Sequence, residues 1–121
     1  MFRLMPSNGG KWKETKLYWF SNSGPGASLA GLLFDSLGNL FGTTIGGDSK
    51  PGGSVFRLKR PTVKGGIWIL DLLYGFKRSP DGAYPAARLV FDQDSLYATT
   101  VYGGIGQSCQ GGCGTVYEVS P

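Results

Sequence analysis

Cys109 and Cys113 are the only thiols of the chain, in the run Cys109-Gln110-Gly111-Gly112-Cys113. Their even number, the glycines between them and their place in a loop point to a disulfide that closes a short ring. A ring of that size stabilises by about 2 kcal/mol on chain-entropy grounds, so it is expected to pin the loop and not to hold the fold. It also implies an oxidising compartment. A structural zinc site would need four ligands, and two thiols without any histidine cannot supply them. A redox Cys-x-x-Cys pair has two intervening residues, whereas three stand here.

The absence of histidine removes the commonest general base and the usual partner of a nucleophilic serine. Carboxylates remain. Glycoside hydrolysis needs two of them about 5 to 9.5 Å apart across a cleft, and Asp35, Asp92 and Asp94 are the candidates. An aspartate in a turn between strands more readily caps its own backbone. Asp92, Asp94 and Ser95 offer oxygen atoms to calcium, but no EF-hand-like ligand series surrounds them. No metal and no cofactor is expected. Thr43-Thr44 and Thr99-Thr100 read as β-branched strand residues and not as nucleophiles. Trp12 and Trp68 resemble carbohydrate platforms taken singly, but they recur with the pattern described next and are expected to pack between sheets.

The elements that would carry these residues are repeated. Gly9-Gly10-Lys11-Trp12 matches Gly65-Gly66-Ile67-Trp68, and Leu40-Phe41-Gly42-Thr43-Thr44 matches Leu96-Tyr97-Ala98-Thr99-Thr100, both at an offset of 56. Leu32-Leu33-Phe34-Asp35 matches Leu89-Val90-Phe91-Asp92 at 57. A further element occurs three times, as Phe2-Arg3-Leu4, Val55-Phe56-Arg57-Leu58 and Val116-Tyr117-Glu118-Val119. Self-similarity at this period signals stacked supersecondary units. With 21 glycines in 121 residues and aromatics at 13%, the composition suits short strands joined by tight turns.

Each unit reads as four strands: 29–35 and 86–92, 39–45 and 95–102, 54–58 and 115–119, then 12–20 and 68–76. The expected fold is all-β, built from antiparallel four-stranded β-meanders that stack like the blades of a propeller, partial or open. The chain forms one β-repeat segment over 1–121, with a partial unit at 1–20, a complete unit at 29–76 and a partial unit at 86–119. About two units cannot close a ring alone. A fragment of a longer protein, a ring completed by several chains, or an open stack that self-associates through exposed edges all follow from that.

The string Asp35-Ser36-Leu37-Gly38-Asn39-Leu40-Phe41-Gly42-Thr43-Thr44, followed by Gly46-Gly47 and Gly53-Ser54-Val55-Phe56, resembles the GloVer-type tandem repeat of bacterial exported proteins. The second copy departs from that pattern with Asp94-Ser95 where Gly-Asn is usual and with Ala98 for glycine. Asp81-Gly82-Ala83-Tyr84-Pro85 is similar to the linker between such units. The resemblance implies a propeller-like fold and an extracellular or cell-surface location, and it brings no catalytic residues with it.

Nothing here approaches the roughly 20 apolar residues that span a bilayer, and Met1-Phe2-Arg3-Leu4 reads as a repeat strand in place of a secretion signal. The net charge of +4 permits weak attraction to anionic polymers, but the aromatics follow the strand pattern and not a basic groove, which argues against nucleic acid. The contact surface expected from the repeat is the loop that differs between copies while its flanks do not, 46–53 in one and 103–114 in the other. Asp48, Lys50, Tyr102 and Gln107 are its candidate binding residues, for a glycan or a protein ligand. The sequence thus favours a non-enzymatic binding, adhesion or scaffold role. The alternative is a fragment of a carboxylate-dependent, glycan-active propeller enzyme.

Overall fold

Glycines cut the chain into short apolar runs, and the computed structural model, which describes residues 1–21, 24, 26, 27, 30–47 and 49–121, pairs those runs into antiparallel sheets. β1 (Phe2–Pro6) and β2 (Trp12–Lys16) form a hairpin closed by a 3₁₀ turn at Asn8–Gly10. β3 (Leu33–Phe34), β4 (Leu40–Thr44), β5 (Ser54–Lys59) and β6 (Ile69–Gly75) follow one another in a four-stranded meander. β7 (Gly82–Ala83) pairs with β10 (Tyr102–Gly103), while β8 (Val90–Asp92), β9 (Ser95–Thr99) and β11 (Val116–Val119) make a three-stranded sheet with β9 in the centre. The described residues contain no α-helix, and none of their helices is long and apolar enough to cross a membrane.

The repeat in the sequence is also a repeat in strand register. Phe2 faces Lys16 and Leu4 faces Glu14 across β1–β2, and the counterparts Phe56 and Leu58 face Leu72 and Leu70 across β5–β6. Leu40 faces Leu58 across β4–β5, and Leu96 faces Val119 across β9–β11. Leu33 faces Phe41, as Val90 faces Tyr97. A shift of one residue would turn every side chain to the other face, so shared register sets corresponding residues on corresponding faces.

Both faces of the four-stranded sheet are covered, and the strand alternation sorts its residues between them. Leu40, Phe56 and Leu58 form one buried cluster with Leu17, Tyr18 and Phe20 of the preceding segment. Phe41, Val55 and Phe76 form another with Leu89, Leu96 and Ala98, and with Tyr117 at its margin. The two junctions are built alike. Tyr18 meets Phe20 at 5.0 Å and Phe20 meets Phe56 at 5.2 Å, while Tyr74 meets Phe76 at 5.1 Å and Phe76 meets Tyr117 at 4.9 Å. Phe20 and Phe56 are tilted and the other three pairs are edge to face; aromatic pairs of this kind add about 0.5 to 1.5 kcal/mol each beyond the area they bury.

The sheets differ from the expected strands mainly at their ends. β2 stops at Lys16, where 12–20 was expected, and Leu17, Tyr18 and Phe20 leave the hairpin to pack on the next sheet. The run 95–102 is broken after Thr99, because Thr100 turns its hydroxyl onto Tyr102 O and frees Tyr102 to pair with Ala83. The first strands of the units shorten to Leu33–Phe34 and Val90–Asp92, and Leu29, where one of them was expected to begin, lies outside the described residues. Trp12 does not pack between sheets as expected. It is exposed on the free face of the hairpin, whereas Trp68 lies against the Leu40 cluster.

Candidate functional site

The linker between the last two sheets is held in a conformation that its side chains do not favour. Arg78 and Tyr84 both adopt left-handed backbone angles, with φ of 69° and 55°, at a cost of about 1 to 3 kcal/mol each. Tyr84 is kept there from both sides: its N–H donates to Gly52 O at 2.7 Å and its carbonyl accepts from Val101 N at 3.1 Å. Between them Asp81 anchors the turn, its carboxylate accepting from Tyr74 Oη at 2.9 Å, Lys77 N at 3.0 Å and its own neighbour Gly82 N at 2.8 Å. The hydrogen bond to Asp81, then burial, raise the Tyr74 hydroxyl above its ordinary pKa.

Gly82–Ala83 can lie against Tyr102–Gly103 only because glycine stands at the crossing. Gly103 has φ of 91°, and a Cβ there would overlap the carbonyl of Asp81. This contact sets Tyr84 beside Tyr102, edge to face at 5.5 Å. The guanidinium of Arg78 lies 5.9 Å from the Tyr84 ring centre, and its Nη2 donates to Tyr84 Oη and to Pro51 O, both at 3.3 Å. Among the described residues no carboxylate pairs with Arg78.

These side chains line a cleft of about 470 Å³, completed by Ser79, Ala83, Gln110 and Gly111. Gln110 and Gly111 belong to the ring closed by the Cys109–Cys113 disulfide, so that bond shapes one wall. Gly111 lies close against the Tyr102 ring, and its carbonyl accepts from Gly103 N at 2.8 Å. The result is an aromatic pair with a cation and an amide at its rim, suited to binding a ring with one apolar face and several hydroxyls.

Of the residues singled out in the sequence, Tyr102 is in this cleft. Lys50 is in the tight turn of the other variable loop, where it exchanges backbone hydrogen bonds with Gly47 and runs its side chain along Gly75. Gln107 is exposed and does not line the cleft. Asp48 lies outside the described residues. Arg78, Tyr84 and Gln110 were missed. The signal for the first two was their difference between copies, since Asn22 and Ser28 occupy the corresponding positions of the first unit.

The carboxylates fall elsewhere. Asp35 and Asp94 line a common groove with Phe34 and Phe91. Asp35 Oδ1 accepts from Leu37 N at 2.9 Å and from Asn39 N at 2.8 Å, and Oδ2 accepts from Asn39 Nδ2 at 2.8 Å. Partial burial opposes ionisation, but these hydrogen bonds prevail and hold the carboxyl below its usual range. It caps the turn between β3 and β4, as an aspartate between strands favours. Thr44 and Ser54 share a buried hydroxyl contact at 2.8 Å, and the counterparts Thr100 and Thr115 repeat it at 2.9 Å. Thr44 and Thr100 are thus engaged in joining strands. Among the described residues no group of three acids or cysteines gathers to hold a metal.

Comparison with protein-family models, with curated proteins and with solved structures finds no match to this chain.

Proposed function

We propose that this chain is a non-enzymatic, propeller-like repeat segment of an exported bacterial protein, which binds a saccharide-type ligand in the cleft between Tyr84 and Tyr102. The observation that carries this reading is the coincidence of two strained residues, Arg78 and Tyr84, in a single aromatic-walled cleft. Backbone strain held in place by surrounding hydrogen bonds concentrates at binding sites. The cleft also draws on both loops that differ between the units, through Pro51 and through Gln110. Stacked antiparallel sheets with covered faces and identical register support the propeller-like reading, and a loop disulfide fits an oxidising, exported setting.

Amide NMR spectra of the chain titrated with neutral and acidic oligosaccharides provide the test. Shifts are expected around Arg78, Tyr84, Tyr102 and Gln110, and Tyr102→Ala should abolish them while leaving the rest of the spectrum in place. Shifts that survive that substitution, or none at millimolar saccharide, reject the reading.

A further inference from the structure

Among the described residues, an apolar face of the three-stranded sheet and one of the hairpin lie open, and each is the counterpart of a face that is covered within the chain. On the three-stranded sheet, Val90 and Val116 are 57% and 79% exposed. Their counterparts Leu33 and Val55 pack in the cluster between the sheets, Val55 fully buried. Tyr97 shares that open face and corresponds to Phe41, which is also buried there. On the hairpin, Phe2 and Leu4 are 59% and 51% exposed. Their counterparts Phe56 and Leu58 are buried against the preceding segment, and the counterparts Tyr117 and Val119 lie in the junction with the four-stranded sheet. Trp12 shares the Phe2 face through its pairing with Pro6.

One open face therefore carries the residues that receive a following unit, and the other carries those that a unit presents to its predecessor. The segments that carry these faces are opposite in charge: residues 1–20 hold Arg3, Lys11, Lys13 and Lys16 against the single acid Glu14, whereas residues 89–121 hold Asp92, Asp94 and Glu118 with no base. On the faces themselves, register sets Lys16 opposite Phe2 and Glu14 opposite Leu4, with Arg3 and Lys13 on the other side of the hairpin, and sets Asp92 and Glu118 on the side of Val90 and Tyr97. Glu118 is itself on the open face, hydrogen-bonded to Tyr97 and held below its ordinary pKa by Ser95 and Tyr97.

We propose that this chain associates head to tail with a second copy, the β1–β2 hairpin of one seated on the β8–β9–β11 face of the other as in the two internal junctions. The contact is heterologous, since the two patches are different surfaces, and it propagates into a closed ring or an open stack. It is independent of the ligand cleft.

Sedimentation velocity on the whole chain tests it, with protein concentration and salt varied. The expected result is assembly that grows with concentration and weakens as salt screens the opposed charges. Val90→Lys with Val116→Lys disables one face, and Phe2→Lys with Leu4→Lys disables the other. Each double variant should lose association by more than about tenfold. An equimolar mixture of the two should form a one-to-one dimer, because each retains the face that the other lacks. Circular dichroism of each variant checks that it folds, and the salt series on the unaltered chain needs no substitution. A monomer at every concentration overturns the proposal. So does assembly that persists in both variants, which would point to pairing through the free edges of β1 and β11, and so does a mixture that stays monomeric.

Discussion

Tyr117 shows how a repeat exposes a local misfit. Its ring fills the place that Phe56 fills one unit earlier, against Phe76 as Phe56 is against Phe20. Its hydroxyl is buried and has no hydrogen-bond partner among the described residues, and burial drives its pKa strongly upward. An unsatisfied buried hydroxyl costs about 1 to 3 kcal/mol. Tyr117→Phe should therefore stabilise the chain by about 1 kcal/mol in urea unfolding, an unusual direction for a core substitution. Tyr84 makes a second case. Glycine accepts φ of 55° without strain, so Tyr84→Gly should be more stable than Tyr84→Ala by about 1 kcal/mol. Both should lose saccharide binding if the Tyr84 ring forms the cleft wall, and equal stability of the two would mean that the linker relaxes when the ring is removed.

Among the strands, β5 and β6 are joined by the most evident charge contact. Asp71 accepts from Arg57 at 2.8 Å and from Lys59 at 2.7 Å, and these bonds, Lys59 first, lower its pKa from the ordinary 3.8. A depressed carboxylate adds stability above its unfolded pKa, and that stability disappears as pH falls through the folded one. The groups are partly open to solvent, so the effect is under about 1 kcal/mol. Asp71→Asn should lower Tm slightly at neutral pH, and its Tm should converge with that of the unaltered chain as pH falls through the lowered pKa of Asp71. The 109–113 ring makes a parallel point about loops. Reduction removes at most about 2 kcal/mol, but it frees Gln110 and Gly111, which line the cleft. Reductant should thus impair binding more than it lowers Tm, as titration and calorimetry on the same sample would show.

Across the molecule, stability depends on what lies between the sheets. Phe76 is fully enclosed between the four-stranded and three-stranded sheets, whereas its counterpart Phe20 is only half-buried at the hairpin junction. Phe76→Ala should cost about 3 to 5 kcal/mol and loosen both large sheets together. Phe20→Ala should cost less. Hydrogen exchange is expected to show it releasing the β1–β2 hairpin while β4, β5 and β9 stay protected. Equal exchange everywhere in Phe20→Ala would mean that the hairpin is no less integral than the other sheets.

The repeat period, the all-β class, the positions of the main strands and the disulfide were legible in the residues themselves. Alternation, glycine punctuation and the count of two thiols are local properties, and the match of Leu40–Thr44 to 96–100 carries its register with it. The ends of strands were not legible. Leu17, Tyr18 and Phe20 continue an apolar run, and only the neighbouring sheet decides that they leave the hairpin to cover it. Nor did sequence alone separate Trp12 from Trp68, because burial depends on whether a following sheet or water lies opposite. Tyr102 was singled out as a loop residue, but its partners Arg78 and Tyr84 precede it by 24 and 18 residues. They meet because the linker crosses β10 at Gly103, where two backbones approach too closely for any side chain. The sequence by itself determined an all-β chain of similar antiparallel units. Which residues of those units meet, and so form a cleft, was decided by packing between segments far apart in the chain.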